Sequence, residues 1–180
     1  EMLTRDWSSD VCSSDLSIAI MVRNEYGVLN RVTSMFRRRQ FNITGLTVSE
    51  TETEALSRIT VQFMGEDRAK SQLVAQLAKL PDVISFKEFD PEDSISCELL
   101  LIKVANEDGS RTQVLDAADA FHAKIVDYSR GSIVFRMAGQ SRRIDNFIDL
   151  MRDFRILEVC RTGVVSLERG GAIMRNVSNI

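Results

Sequence analysis

Residues 17–36 read SIAIMVRNEYGVLNRVTSMF, and two hydrophobic periods meet within them. Ile18, Ile20 and Val22 alternate with Ala19 and Met21, the period of two that a strand requires. Beyond the polar turn Arg23 to Gly27, Val28, Leu29, Val32, Met35 and Phe36 recur at helical spacing. Asn30, Arg31, Ser34, Arg37 and Arg38 take the opposite face. A strand therefore passes through a short turn into an amphipathic helix.

The residues that follow this unit complete a pattern. Phe41 to Ser49 and Leu56 to Phe63 read as two strands, joined by the polar, acidic segment Glu50 to Glu54. Ala69, Leu73, Val74, Leu77 and Leu80 mark a second helix, which Pro81 stops because proline has no N–H to donate. Val83 to Phe89 is a fourth strand. The order is strand, helix, strand, strand, helix, strand. Asp90 to Ser94 has the composition of a linker, and the same order then recurs. Cys97 to Val104 is a strand. Ser110 and Gln113 form a capping-box pattern before Val114, Leu115, Ala118 and Phe121. Lys124 to Tyr128 and Ser132 to Met137 make a hairpin around Arg130-Gly131. Ser141 is placed to cap a helix carrying Ile144, Phe147, Ile148 and Met151. Leu157 to Arg161 and Val164 to Leu167 supply the last strands.

This repeated order is the split β-α-β arrangement of the ferredoxin-like fold. The expected class is α+β, with two βαββαβ domains in tandem. The boundaries are a leader at 1–16, a domain at 17–90, a linker at 91–96, a second domain at 97–170 and a tail at 171–180. In Leu99-Leu100-Leu101-Ile102 both alternate sets are apolar, which predicts that both faces of that strand are covered, the open side by the other domain or by another chain. Glu1 to Leu16 has neither period and repeats Ser-Ser-Asp. Arg5 to Leu16 resembles a translated sequencing-adapter fragment, so the leader is expected to be foreign to the fold.

Composition narrows the function classes. The 180 residues are 44% hydrophobic and 27% charged, with a net charge of -3, a globular balance without the basic excess of a nucleic-acid binder. The longest apolar runs are too short for a membrane span. Three cysteines, Cys12, Cys97 and Cys160, lack metal-ligand spacing and predict a reduced, cytoplasmic protein. Cys97 and Cys160 are expected to pack within sheets. The single histidine, His122, stands at a helix end, where an imidazole is usually structural. Acidic residues are scattered on solvent faces, and Gly170-Gly171 belongs to no phosphate loop. No catalytic residue and no metal site are therefore expected. Arg37, Arg38 and Arg39 close the first helix, where cations complement its dipole; the other reading is a docking patch for an acidic partner.

One small-ligand site is expected on physical grounds. A helix N-terminus offers unpaired N–H groups and a partial positive charge, a seat for a carboxylate. Gly27 lets a ligand approach the backbone closely. Asn24 and Asn42 each carry an amide and a carbonyl, able to meet a carboxylate or an ammonium.

The same residues carry a family resemblance. Asn24 to Val32, then Met35 to Arg38, Phe41-Asn42-Ile43 and Leu46-Thr47-Val48 resemble the small subunits of acetolactate synthase. Those subunits carry N-x-x-G-[VA]-L-x-R, [LM]-F-x-[RQ]-R and [FY]-N-I-x-x-L-T-V. The likeness returns at Glu158-Val159, at Arg161 to Val165 and at Leu167 to Gly170. One departure is Gln40, which stands where many members have glycine. The resemblance implies an N-terminal ACT domain that binds a branched-chain amino acid, usually valine, and an ACT-like C-terminal domain. It implies an effector site of Asn24, Tyr26, Gly27, Val28, Leu29, Asn42 and Ile43. It implies a homodimer and a catalytic large subunit as partner, with thiamine diphosphate, magnesium and FAD in that subunit and no cofactor in this one. The small subunit then activates the large one and confers feedback inhibition. Two other classes compete: an ACT-domain sensor serving a different enzyme or a transcription factor, and an enzyme built on a ferredoxin-like scaffold.

Overall fold

The computed structural model describes residues 15–64, 67–89 and 92–174. The first fourteen residues of the leader and the last six of the tail lie outside them. The N-terminal half runs β1 (Asp15–Arg23), α1 (Val28–Arg38), β2 (Asn42–Glu50), β3 (Leu56–Met64), α2 (Asp67–Leu77) and β4 (Val83–Glu88). Its antiparallel sheet has the order β2-β3-β1-β4. The C-terminal half runs β5 (Ser94–Ala105), α3 (Arg111–Ala120), β6 (Lys124–Tyr128), β7 (Ser132–Gly139), α4 (Ser141–Met151), β8 (Ile156–Arg161) and β9 (Val165–Glu168). Its order, β6-β7-β5-β8, is the same order in its own numbering, so the repeat read from the sequence is a repeat of topology.

Each sheet buries one face beneath its helices. Ile18, Ile20 and Val22 of β1 and Ile59, Val61 and Phe63 of β3 meet Val28, Val32 and Phe36 of α1 in one core. Phe36, Phe41 and Phe63 pack edge to face there. The second core gathers Leu100, Ile102, Val104, Ile133, Phe135 and Met137 under Val114, Ile144 and Phe147. Gln40 adopts φ +58°, the left-handed region that glycine tolerates best, which explains the resemblance's preference at that turn. Arg37, Arg38 and Arg39 are exposed at the end of α1.

Four sequence expectations are corrected. α3 has no side-chain cap: Ser110 sits in the right-handed helical region instead of the extended conformation of a capping residue. Ser141 does not cap α4 either; Gln140 holds that position, and the Ser141 hydroxyl serves Glu98. The linker is shorter than its composition suggests. β5 begins at Ser94, because Ser94 to Cys97 pair with Val165 to Glu168 of β9. The other domain does not supply the cover over Leu99 and Leu101 of β5, which are 36% and 38% exposed, so of the two covers expected there only another chain stands. Cover is found instead on the open face of the other sheet, at β1, β3 and β4.

That cover is the seam between the domains. Thr47 donates to the Thr162 carbonyl at 2.8 Å, and the Val164 N–H donates to Gln62 Oε1 at 3.3 Å. Arg58 donates to the Ser166 carbonyl and lies over the Phe89 ring, while Lys87 pairs with Glu168. Farther on, Met174 packs against Ala19 and Met21, and its carbonyl accepts from Ser85.

Where β5 leaves β9 and enters its own sheet stands Glu98, 3% exposed. It is the buried acid that the sequence reading put among solvent-facing carboxylates. Arg161 donates to both its oxygens, at 2.5 and 2.9 Å, and also reaches Asp145 at 2.7 Å. Burial pushes the Glu98 carboxyl up, but hydrogen bonds from Arg161 and Ser141 outweigh burial and hold it below the usual carboxylate range. The bond to Glu98 likewise raises Arg161. A carboxyl depressed on folding stabilises the fold above its unfolded pKa, and that stability is lost as pH falls through the folded value. Arg161→Ala strands the buried carboxylate and is expected to cost about 3 kcal/mol at pH 7. Urea unfolding is the measurement, and the gap between variant and parent narrows as the pH falls toward and through the depressed folded value of Glu98, because a protonated carboxyl no longer needs the guanidinium.

Candidate functional site

The loop from β1 to α1 is held at one end of the N-terminal sheet. Asn24 ends that strand's run. Its backbone N–H donates to the Ala55 carbonyl, and its Nδ2 donates to the Glu54 carbonyl at 2.9 Å and to Glu50 Oε1 at 3.3 Å. Both side-chain bonds use the amide nitrogen and leave the carbonyl oxygen as the group with acceptor capacity to spare. Tyr26 projects wholly into solvent. Gly27 opens α1 at φ +81°, ψ −5°, in the left-handed region. This helix has no side-chain cap and no acid in its first turn; the Val28 N–H donates to the Glu25 carbonyl at 3.3 Å, and no side chain offsets the partial positive charge of the helix start. Val28 is buried in the core and Leu29 is 41% exposed.

Asn42 and Ile43 lie elsewhere. Asn42 starts β2 opposite Met64, whereas Glu50 ends it opposite Ser57, beside the Asn24 loop. At a rise of ~3.3 Å per residue the two ends of this strand are ~26 Å apart. Asn42 is exposed and Ile43 is half-buried against the core. The structure therefore gathers Asn24, Tyr26, Gly27, Val28 and Leu29 at one end of the sheet and places Asn42 and Ile43 at the other.

Sequence reasoning missed a supporting pair. Arg31 donates to Asp82 at 2.6 Å, and the Asp82 carbonyl accepts from the Arg23 N–H. The bond to Asp82 raises the Arg31 guanidinium above its ordinary value against opposing desolvation. Arg31 Nη1 stands 3.4 Å from the point where a Gly27 Cβ would sit, so a fixed cation adjoins the helix start. The arginine in N-x-x-G-x-L-x-R was the available signal; Asp82, after the helix-stopping Pro81, gave none.

Other candidates fall away from any cluster. His122 takes φ +55° just beyond α3, with its N–H on the Asp119 carbonyl, a helix-ending role. Cys97 is half-buried and Cys160 is exposed, so the second does not pack as expected: it pairs with Leu101 on the uncovered face of the second sheet. Among the described residues no group of three or more His, Cys, Asp or Glu could hold a metal ion. None of the helices described is long and apolar enough to cross a membrane.

Residues 18–85 match the family described as the AHAS small subunit-like ACT domain, and residues 97–170 match the small subunit of acetolactate synthase. A probable acetolactate synthase small subunit of Archaeoglobus fulgidus is 42% identical over 154 residues, 86% of this chain and 96% of that one. The chain belongs to the acetolactate synthase small-subunit family. The acetolactate synthase small subunit of Bacillus subtilis is 39% identical over 155 residues, covering 85% of this chain and 90% of its own. The crystal structure of the acetolactate synthase small subunit from Thermotoga maritima superposes with a TM-score of 0.80 at 32% identity, over 88% of this chain and 99% of that one. The tandem α+β fold is thus shown both by topology and by likeness.

The family motif near the C-terminus now has a physical reading. Arg161 grips Glu98, Thr162 accepts from the Leu99 N–H and from Thr47, and Gly163 at φ +80° lets the backbone pass Thr47. A Cβ on Gly163 would stand 3.2 Å from Thr47 Oγ1. Gly163→Ala combines that approach with a left-handed backbone and is expected to lower stability by about 1–2 kcal/mol in thermal or urea unfolding.

Proposed function

We propose that this protein is the regulatory subunit of acetolactate synthase, a cytoplasmic, non-catalytic protein that activates the catalytic large subunit and confers feedback inhibition by a branched-chain amino acid, with valine the first choice. Thiamine diphosphate, magnesium and FAD belong to the large subunit in this reading. The observation that carries the effector site is the split of its residues between the two ends of β2, an edge strand. Between Asn42 and Ser49 that strand has no charged side chain, and its Leu46 and Val48 are 37% and 42% exposed. Edge strands that remain unpaired usually carry charge or proline to prevent pairing. Antiparallel pairing of two copies along β2 brings Asn42 and Ile43 of one protomer to Asn24 and Gly27 of the partner subunit.

The site so completed suits an amino acid. The uncapped start of α1, with Arg31 beside it, favours the carboxylate. The Asn24 carbonyl and the Glu50 carboxylate favour the ammonium. The second protomer supplies the depth that buries a valine side chain, worth ~2 kcal/mol of apolar transfer. Ligand that binds only the paired form also tightens the dimer.

Mixing the protein with the large subunit and assaying acetolactate with and without valine is the test. Activation and valine inhibition are expected, and the protein alone is expected to make no acetolactate even with the three cofactors added. Turnover by the pure protein, or a mixture indifferent to it, would overturn the reading. Gly27→Asp places a carboxylate where the ligand's would lie and is expected to raise the valine concentration for half-inhibition at least tenfold while activation survives. Gly27→Asn, neutral and tolerant of a left-handed backbone, is expected to lose much less.

A further inference from the structure

Beyond Glu168, β9 leaves its two-stranded ribbon with β5, and the chain continues over the open face of the N-terminal sheet. Arg169 still holds the start of the ribbon, its N–H on the Asp93 carbonyl at 2.9 Å. Gly170 turns at φ +75°, and neither it nor Gly171 has a neighbour within 4 Å of where a Cβ would stand. The glycine pair that belongs to no phosphate loop is the joint of a strap. Residues 169–173 are all exposed, the aliphatic Ile173 included. Met174 alone goes inward, 8% exposed. It closes a small cluster with Ala19 and Met21, against which Leu56 and Phe89 pack. Its carbonyl accepts from the hydroxyl of the buried Ser85 at 3.1 Å.

That cluster adjoins the root of the candidate effector turn. Met21 stands two residues before Arg23, and Arg23 pairs with Leu56. Ser85 pairs with Met21 across the sheet. Leu56 closes the β2–β3 hairpin: its N–H donates to the Thr53 carbonyl, and its own carbonyl accepts from the Thr51 N–H and hydroxyl. The carbonyls of Glu54 and Ala55, the two residues before it, hold Asn24. A side chain seated in this cluster therefore braces both segments between which Asn24 is held. We propose that Met174 is the anchor of a C-terminal strap whose docking sets the affinity of the effector turn. The inference rests on the effector reading above. One buried side chain and one hydrogen bond are the strap's gain. Ordering five exposed residues, two of them glycine, opposes it with comparable size. Docked and free forms thus lie close in energy, as a regulatory element requires. An effector that prefers the braced turn favours docking, and docking favours the effector by the same factor.

Two measurements on the full-length protein test this: calorimetric titration with valine, and the rate at which dilute hydrogen peroxide converts Met174 to its sulfoxide. Met174→Ser is expected to weaken valine binding at least fivefold, and Met174→Leu, apolar and of similar volume, to stay within twofold. Both change one side chain at the end of an exposed segment, so unfolding midpoints near the parent's are expected. Ser85→Ala removes the hydroxyl from the Met174 carbonyl and is expected to weaken valine binding twofold or more. By reciprocity, saturating valine is expected to slow sulfoxide formation at Met174 at least fivefold in the parent, which needs no variant, and not in Gly27→Asp. If the parent binds valine and Met174→Ser binds it equally, or if bound valine leaves the oxidation rate unchanged, the strap proposal is overturned while the effector site stands. If the parent binds no valine, the effector reading falls and the strap proposal with it.

Discussion

The pairing of β5 with β9 is the contact on which the arrangement of the molecule depends. Without it, two α+β domains would be joined by a short acidic tether, and each sheet would show a bare face to solvent. With it, the C-terminal end of the second domain returns along β3 of the first, and four backbone registers from Ser94 to Cys97 fix the path. The contacts that follow are of several kinds: a hydroxyl on a carbonyl, a guanidinium over a ring, an ion pair, a methionine in a hydrophobic recess. Each is worth about 1 kcal/mol or less by itself. Their sum is useful because the ribbon has already met the entropic cost of bringing the segments together.

The electrostatics concentrate where the ribbon opens. At Glu98, β5 exchanges β9 for β8, and the strand leaving β8 toward β9 does so directly after Arg161. One bidentate pair therefore joins the two segments at their point of divergence. A buried ion pair contributes less net stability than its geometry suggests, since both charges give up water. Its value here is geometric. The planar guanidinium fork fixes the relative direction of two strands, which a pair of aliphatic side chains of similar volume would not.

Much of this could be read from the residues. The two periods in 17–36 located the first strand and helix, and the recurrence of one element order supplied the fold class. What escaped was long-range. Ser94 to Ser96 read as linker because polar residues signal a loop, whereas their polarity reflects a strand that turns its serines inward to another domain. Glu98 read as a solvent-facing acid, since its counter-ion lies sixty-three residues away. The Leu99–Ile102 run announced a cover on both faces, and within this chain the contact between domains went to the other sheet. The candidate site was legible as a set of residue types and not as a place. Asn24 and Asn42 flank one helix in the sequence, but α1 with its two flanking turns carries the chain along the sheet and sets them at its two ends.

β5 has one further property. It is a single strand of 12 residues, ~40 Å from end to end at ~3.3 Å per residue, anchored at its start over one domain and at its end in the centre of the other. Its first four residues pair with β9 over the N-terminal sheet and its later ones run between β7 and β8, so one unbroken backbone crosses from one domain into the other with no flexible joint between them.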